Sequence, residues 1–259
     1  MVLDKMFSLA GKTALIAGAS RGLGLAIARA TAAAGAHTIL AARTKERLDT
    51  AVKELRDAGH SAEAQCLDVT DRASIVAAAE AHENADILIN VAGMNIRRRF
   101  EEYTQEEYDR LMQTNTHGLF LLTQKVGGKM LARGKGGKIV FIGSLLTLKG
   151  LPYFTVYAMT KSALGGLTRA LAAEWGQYNI QVNCIAPGFI LTDLNRAMWQ
   201  PPEMRQWLQG VQANPNFGTL EDVAALAVFL SSPGSNYITG QVISLDGGNA
   251  TTAFWPFQP

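Results

Sequence analysis

Cysteine is scarce in this sequence, with two residues in 259. Cys66 and Cys184 each lie in an apolar, strand-like stretch, which favours buried, reduced thiols over a disulfide. The four histidines are scattered without the spacing of metal ligands, and the sequence contains no Cys/His cluster. We therefore give the cysteines no function and predict a chemistry that requires no metal.

Long apolar runs and charge blocks are also lacking. No run reaches the ~18 residues of a membrane-spanning helix, and the first residues lack the apolar core of a signal peptide. The net charge is +2 with dispersed basic residues, which argues against a nucleic-acid or membrane-surface partner. No linker-like stretch divides the chain, so we expect a single cytoplasmic domain over residues 1–259.

Short apolar runs alternate with longer helical patterns along the whole chain. Such runs are typical of strands buried on both faces of a parallel sheet. The pattern predicts a doubly wound α/β (Rossmann) fold with a seven-stranded parallel sheet and helices on both faces. The predicted strands are 13–18, 37–41, 86–91, 138–142 and 180–185, with weaker candidates at 61–66 and 241–245. The predicted helices are 22–34, 45–58, 72–82, 105–131, 157–178 and 220–230.

A glycine-rich loop follows the first predicted strand, with the spacing Gly-x-x-x-Gly-x-Gly. Glycines let the backbone turn tightly and approach a pyrophosphate, and the following helix offers free N–H groups. The alternative is an ordinary turn, since the chain has 25 glycines. The order of strand, loop and helix favours dinucleotide binding. The candidate contacts are Gly18, Ser20, Arg21, Gly22, Leu23 and Gly24.

The residues after the second predicted strand indicate which dinucleotide the protein prefers. Enzymes that prefer NAD place an acidic residue there for the ribose 2′-hydroxyl, whereas Arg43 stands here and can pair with a 2′-phosphate. Arg21 is a second candidate. The alternative is that Arg43 and Lys45 are solvated residues at a helix start. We predict NADP(H) as the preferred cofactor, with NAD(H) possible.

Asp68 and Val69 follow the third predicted strand, where they can meet the adenine edge. Asp68 has an alternative role as the cap of the helix that begins near Asp71.

Tyr157 and Lys161 are four residues apart in a helical pattern, so their side chains share a face. Lowering a tyrosine pKa from about 10 by roughly 3 units takes about 4 kcal/mol, which a lysine and an oxidised nicotinamide can supply together. The pair can then exchange a proton with an alcohol or ketone near neutral pH. The spacing alone arises by chance in about one such chain in four, so its neighbours decide its meaning.

Two further polar residues accompany the pair. Ser144 follows a predicted strand, at the edge where its hydroxyl can reach Tyr157; capping a helix is its alternative role. Asn115 lies in a helical pattern where Asn is a mediocre helix former, which indicates a role other than helix stability.

Together these motifs resemble the short-chain dehydrogenase/reductase family over nearly the whole chain. The resemblance rests on residues 18–24, Asp68-Val69, Asn90-Val91-Ala92-Gly93, Asn115, Ser144, Tyr157 with Lys161, and Pro187-Gly188. It implies hydride transfer between a nicotinamide and a carbon bearing oxygen, with Tyr157 as acid or base and Ser144 holding the substrate oxygen.

The same resemblance implies further roles. Lys161 lowers the pKa of Tyr157 and holds the nicotinamide ribose, and Asn115 anchors a water that links Lys161 to solvent. Other expected cofactor contacts are Asn90, Ala92, Gly93, Pro187, Gly188 and Thr192. The family usually has Asn where Val91 stands; because Asn90 and the Ala92-Gly93 pair remain, we expect a local packing change and not a loss of cofactor binding.

Within the family, the stretches 92–100 and 173–183 resemble bacterial sugar-acid dehydrogenases of the gluconate 5-dehydrogenase and deoxygluconate dehydrogenase type. Arg97 or Arg98 can clasp a substrate carboxylate at the mouth of the site, although a charged run is usually a solvated face. The segment near 190–215 falls where family members carry a substrate lid; its aromatic residues have core packing as their alternative.

The resemblance also implies a homotetramer with residues 240–248 in an interface. The aromatic tail 254–257 is predicted to pack on a neighbouring subunit, since chain ends fray unless docked. Two other functions stay open: a 3-oxoacyl-carrier-protein reductase, which shares the catalytic motifs, and a non-enzymatic NADP-binding protein of the same fold. The identity of the small-molecule substrate does not follow from the sequence.

Overall fold

The computed structural model describes residues 2–192 and 195–253. Its centre is a seven-stranded sheet in which all paired strands are parallel, in the order β3-β2-β1-β4-β5-β6-β7. The chain builds outwards from β1 to β3, then returns and builds from β4 to β7, which confirms the predicted doubly wound fold. The strands are β1 Thr13–Ala17, β2 His37–Ala42, β3 Ala62–Cys66, β4 Ile87–Asn90, β5 Gly137–Ile142, β6 Ile180–Pro187 and β7 Val242–Leu245.

The helices lie on both faces of the sheet. They are α1 Val2–Phe7, α2 Gly22–Ala33, α3 Lys45–Asp57, α4 Arg72–Ala81, α5 Gln105–Met112, α6 Gly118–Arg133, α7 Thr155–Trp175, α8 Pro202–Val211 and α9 Leu220–Ser231. The sequence did not predict α1 or α8.

Successive residues of the strands supply two separate apolar layers, because neighbouring side chains in a strand point to opposite faces. On β1, Ile16 packs into the layer that also contains Ile27 of α2, whereas Leu15 packs into the layer that contains Leu119 of α6. This alternation explains why the central strands read as continuous apolar runs.

The helix predicted over 105–131 is interrupted by a π-helical turn, Gln113–His117, between α5 and α6. Such turns insert an extra residue into a helix and are frequent at functional sites. Asn115 lies in this turn and is fully buried. The prediction that Asn115 serves something other than helix stability agrees with its position here.

Strand β3 lies at one edge of the sheet, and this corrects the expectation for Cys66. After the buried Ala62, the strand alternates between half-buried and exposed residues, so that Cys66 is exposed, while Cys184 on strand β6, which is paired on both sides, is buried. A pattern based only on apolar neighbours does not distinguish an edge strand from a central one. Within the described residues, no helix is both long and apolar enough to cross a membrane.

Candidate active site

A cleft of about 2320 Å³ opens at the carboxyl ends of the strands. Its walls come from the residues that directly follow β1 to β6, as expected for a ligand site in a doubly wound sheet. The candidate site residues of the sequence that line it are Gly18, Ser20, Arg21, Gly22, Leu23, Gly24, Arg43, Asp68, Val69, Ala92, Gly93, Arg97, Ser144, Tyr157, Lys161, Pro187, Gly188 and Thr192.

The glycine loop has a backbone that side chains would block. Gly18 has a φ of 93°, and a Cβ there would lie 2.7 Å from the Ala92 amide nitrogen. A Cβ at Gly24 would collide with the Gly18 carbonyl oxygen, so α2 can pack against the loop only with glycine there. Arg21, the residue before α2, makes no side-chain cap, which leaves the first N–H groups of this helix available to an anion.

Three arginines line the cleft at the glycine loop, after β2 and in the first turn of α3. Arg21 and Arg43 are both exposed and line the cleft, and they are joined by Arg47 of α3, which the sequence reasoning missed. Its signal was its place in the first turn of the helix that follows Arg43. Lys45 points elsewhere, since its ammonium pairs with Asp49 at 2.6 Å.

Asp68 shapes its own loop at this end of the cleft. Its Oδ1 accepts hydrogen bonds from the Thr70 amide at 2.8 Å and the Thr70 hydroxyl at 2.7 Å. Although partial burial raises the pKa of the Asp68 carboxyl, these bonds and Arg43 outweigh it and hold that pKa below its usual value. The alternative that Asp68 caps α4 is wrong, because the cap is Asp71, which accepts from the Ala73 amide.

The segment after β4 departs from its prediction at Asn90. This side chain is fully buried and donates to the Thr123 hydroxyl at 3.0 Å, and its Oδ1 atom has no hydrogen-bond partner. Asn90 therefore stands behind the wall of the cleft, and the cofactor contact predicted for it is withdrawn. Val91, Ala92 and Gly93 form the wall instead.

Ser144, Tyr157 and Lys161 come together as predicted. Ser144 begins a turn, Leu145–Thr147, directly after β5, and its Oγ accepts from the Leu146 amide at 3.2 Å. Ser144 thus caps this turn while its side chain stands beside Tyr157, so its two predicted roles do not exclude each other. The Lys161 ammonium lies 5.6 Å from the Tyr157 ring centroid and donates to the Ile142 carbonyl at 2.7 Å.

Burial controls the ionisation of this group. It raises the pKa of the Tyr157 phenol, and hydrogen bonding with Ser144 acts in the opposite direction. The lowering of the Tyr157 pKa that is expected from Lys161 together with an oxidised nicotinamide stays a prediction. Burial also lowers the pKa of Lys161 to about 8, so that the lysine itself titrates near physiological pH.

Asn115 ties the π-helical turn to two other parts of the site. Its Oδ1 accepts from the Met94 amide at 2.8 Å, and its Nδ2 donates to the Met94 carbonyl at 2.8 Å and to the Thr160 hydroxyl at 3.2 Å. These contacts fix the strand-end segment beside Lys161. The water predicted to connect Asn115 with Lys161 stays a prediction.

The segment after β6 is where the lid is predicted. Thr192 lines the cleft, and its amide donates to Asn195 Oδ1 at 2.8 Å. Trp199 is buried against Phe189, Trp207 and Phe217, with ring centroids 4.9 to 6.4 Å apart. The core-packing alternative thus applies to Trp199, which nevertheless lines the cleft together with Met198, Met204 and Trp207.

The two candidate substrate arginines have different environments. Arg98 pairs with Glu107, Nη2 to Oε1 at 2.8 Å and Nε to Oε1 at 2.9 Å, and is withdrawn as a substrate ligand. Arg97 lines the cleft, with its guanidinium 5.1 Å from the Phe154 ring centroid and 3.0 Å from Met198 Sδ. Phe154 also lies 6.4 Å from the Tyr157 ring, and its spacing three residues before Tyr157 was the signal that sequence reasoning overlooked.

A family model described as enoyl-(acyl-carrier-protein) reductase matches residues 18–250, which include nearly all of this site. The chain belongs to the short-chain dehydrogenase/reductase family, and it is an NAD(P)-dependent oxidoreductase that acts on CH–OH groups.

Its similarity to individual members extends over nearly the full length. It is 37% identical to gluconate 5-dehydrogenase of Gluconobacter oxydans over 247 residues, covering 94% of this chain and 96% of the relative. It is 36% identical to 2-dehydro-3-deoxy-D-gluconate 5-dehydrogenase of Bacillus subtilis over 249 residues, covering 95% and 97%. The crystal structure of a gluconate 5-dehydrogenase from Burkholderia cenocepacia in complex with NADP and tartrate superimposes with a TM-score of 0.92 at 34% identity, covering 97% and 100%.

Proposed function

We propose that this enzyme interconverts a secondary alcohol and a ketone on a sugar acid or polyol, with NADP(H) as its preferred cofactor. The observation that carries the proposal is the joint placement of Ser144, Tyr157 and Lys161 in one cleft with the glycine loop and Arg97. The named activities of the relatives support the substrate class.

The residues of the cleft fit a phosphorylated dinucleotide. The close approaches at Gly18 and Gly24 bring the backbone to where a pyrophosphate can bind, and the start of α2 leaves N–H groups for it. Arg21 and Arg43 would hold the 2′-phosphate, and Lys161 would hold the nicotinamide ribose. When bound, NADP(H) supplies or accepts the hydride.

The proton transfer belongs to the chain's own residues. Tyr157 donates a proton to the oxygen of a ketone, or removes one from an alcohol, and Ser144 donates a hydrogen bond to the same oxygen. The positive charge of Lys161 favours the phenolate state of Tyr157 once the site is closed to water. Asn115 keeps the Met94 segment in place beside this group.

Arg97 is the proposed ligand of a substrate carboxylate. Its guanidinium lies between Phe154, which neighbours Tyr157, and Met198 of the lid. A planar guanidinium suits two parallel hydrogen bonds to a carboxylate. A carboxylate held there places the rest of a short hydroxy acid toward Tyr157.

A panel of substrates tests the proposal. Gluconate-type sugar acids, polyols and oxoacyl thioesters are each supplied with NADP(H) and with NAD(H), and turnover is followed by nicotinamide absorbance. We expect the highest kcat/KM on a sugar acid or polyol, and Tyr157→Phe to lower it by roughly 10²- to 10⁴-fold. Preferred turnover of oxoacyl thioesters would support the carrier-protein reductase alternative, and full activity of the Tyr157→Phe enzyme would falsify the catalytic scheme.

The state of the protein in the cell is part of the proposal. We expect a homotetramer, supported by the family resemblance of residues 240–248. The tail 254–257 lies outside the described residues, so its docking on a neighbour stays a prediction, as does the cytoplasmic location.

A further inference from the structure

The lid has a firmly bonded base. Helix α8, which brings Met204 and Trp207 to the cleft, ends at Val211. The following residues run to the turn after β7, where the Asn214 amide donates to the Gly247 carbonyl at 2.9 Å. The base of the lid therefore rests on the C-terminal turn of the chain.

That turn is built around Asp246, which is buried. Its Oδ1 accepts from the Gly248 amide at 3.0 Å and its Oδ2 from the Ala250 amide at 2.8 Å. The turn also stands against the end of β6, since a Cβ at Gly188 would lie 2.7 Å from the Asp246 Cα atom. The hydrogen bonds of Asp246 thus hold the turn that carries Asn249 in place.

Asn249 joins the lid to the catalytic turn. This side chain is 5% exposed, and its Nδ2 donates to the Val211 carbonyl at 2.7 Å. The last carbonyls of a helix have no partner within the helix, so this bond satisfies one of them. Its Oδ1 accepts from the Lys149 ammonium at 2.9 Å, and the same ammonium lies 3.4 Å from the Asn249 carbonyl oxygen.

Lys149 completes the connection. It follows the Leu145–Thr147 turn that begins at Ser144, and its amide donates to the Leu145 carbonyl at 3.1 Å. A continuous set of hydrogen bonds thus runs from the turn that holds the catalytic serine, through Lys149 and Asn249, to the end of α8.

We propose that Asn249 is a positioning residue that fixes the base of the substrate lid to the turn carrying Ser144. With the base of the lid anchored there, Met204 and Trp207 stay in register with the catalytic group. The proposal rests on the oxidoreductase function only for its kinetic consequence. The positioning itself is a property of the protein without substrate.

Hydrogen exchange and kinetics test the proposal on the full-length enzyme. Asn249→Leu keeps the size of the side chain and removes both hydrogen bonds. We expect the amides of α8 to exchange about tenfold faster, because the bonds that hold the end of this helix are lost. KM for the substrate should rise about tenfold with kcat within about twofold, because a loosened lid weakens substrate capture more than chemistry.

Lys149→Met provides the second variant, because it leaves the bond from Asn249 to Val211 in place. Its effect on KM should have the same direction, and the double variant should be no worse than the more affected single variant, since both changes break one connection. Asn236→Leu, at an exposed asparagine outside these contacts, is the matched control and should match the wild type.

Three results would overturn the proposal: unchanged exchange in α8 on Asn249→Leu, effects on KM that multiply in the double variant, or a lower melting temperature with KM unchanged. If the wild-type protein turns over no member of the substrate panel, the proposed function fails. The exchange measurement on α8 still decides the role of Asn249 in that case.

Discussion

The Lys161 side chain is 3% exposed, and burial lowers its pKa to about 8 from the 10.5 of a free lysine. In the unfolded chain the lysine keeps its proton up to about pH 10. Below pH 8 the folded protein therefore holds a charge that burial disfavours. Between about pH 8 and pH 10.5 the unfolded state binds more protons than the folded state, so this group makes stability rise with pH.

Lys161→Met is expected to stabilise the protein at pH 7 while it lowers activity. Removing the buried charge relieves up to about 3 kcal/mol, less about 1 kcal/mol for the lost hydrogen bond to the Ile142 carbonyl. Urea unfolding at pH 7 and at pH 9.5 measures the gain, which should shrink at the higher pH. Turnover should fall by roughly 10²-fold or more. A variant less stable than the wild type at pH 7 would contradict the assignment of a disfavoured charge.

Arg43→Ala tests the choice of cofactor at the residue scale. Removing the guanidinium should lower kcat/KM for NADP by roughly 10- to 100-fold and change the value for NAD little, because only NADP carries the 2′-phosphate. Lys45→Ala is the matched control, since Lys45 pairs with Asp49. Faster turnover with NAD than with NADP by the wild type would overturn the role of Arg43.

At the scale of elements, α6 offers two adjacent glycines with opposite surroundings. A Cβ at Gly127 would lie 2.5 Å from the buried ring of Trp175, whereas a Cβ at Gly128 would meet nothing within 4 Å. Gly127 therefore lets α6 and α7 pack closely, and Gly128 only lowers helix propensity.

Gly127→Ala should lower the free energy of unfolding by about 2 kcal/mol, since overpacking forces the helices apart. Gly128→Ala should raise it by about 0.5 to 1 kcal/mol, because alanine is the better helix former. Chemical denaturation of the two variants side by side measures both effects. Equal destabilisation would mean that the separation of α6 and α7 is not set by Gly127.

The elements that could be predicted from the sequence are those whose apolar residues form a continuous run or recur at a regular spacing. Central strands such as β4 and β5 read as apolar runs because both of their faces are covered, and their ends were placed within one or two residues. Helix α8 was missed although Met204, Trp207, Leu208 and Val211 have the spacing of one helix face, because its apolar residues were assigned to a lid segment without an element of their own. The edge position of β3 depends on pairing between distant segments, so the exposure of Cys66 was equally hidden.

The same distinction holds for the candidate site. Gly18, Ser144 and Tyr157 were predictable because each follows a strand or shares a helix face with a partner. Asn90 was not, because the direction of its side chain depends on Thr123 of a distant helix. Arg98 and Arg97 are adjacent in sequence, and only the contact of Arg98 with Glu107 separates their roles.

At the scale of the whole molecule, the cleft gathers loops that follow six strands between residues 18 and 192. The site thus depends on six of the seven strands of the sheet. We expect light scattering to give about four times the 27.8 kDa mass of one chain. Deleting residues 254–259 should shift the protein toward smaller assemblies if the aromatic tail docks on a neighbour, and an unchanged tetramer would remove that role from the tail.

The π-helical turn Gln113–His117 sets how α5 is rotated relative to α6. Each residue advances an α-helix by about 100°, so the extra residue rotates everything before it relative to everything after it. Deleting one residue there would leave a continuous helix. It would rotate the face of α5 by about a quarter-turn relative to that of α6. Alignments and grafts that treat 105–133 as a single uniform helix will therefore misplace the face of α5 relative to that of α6.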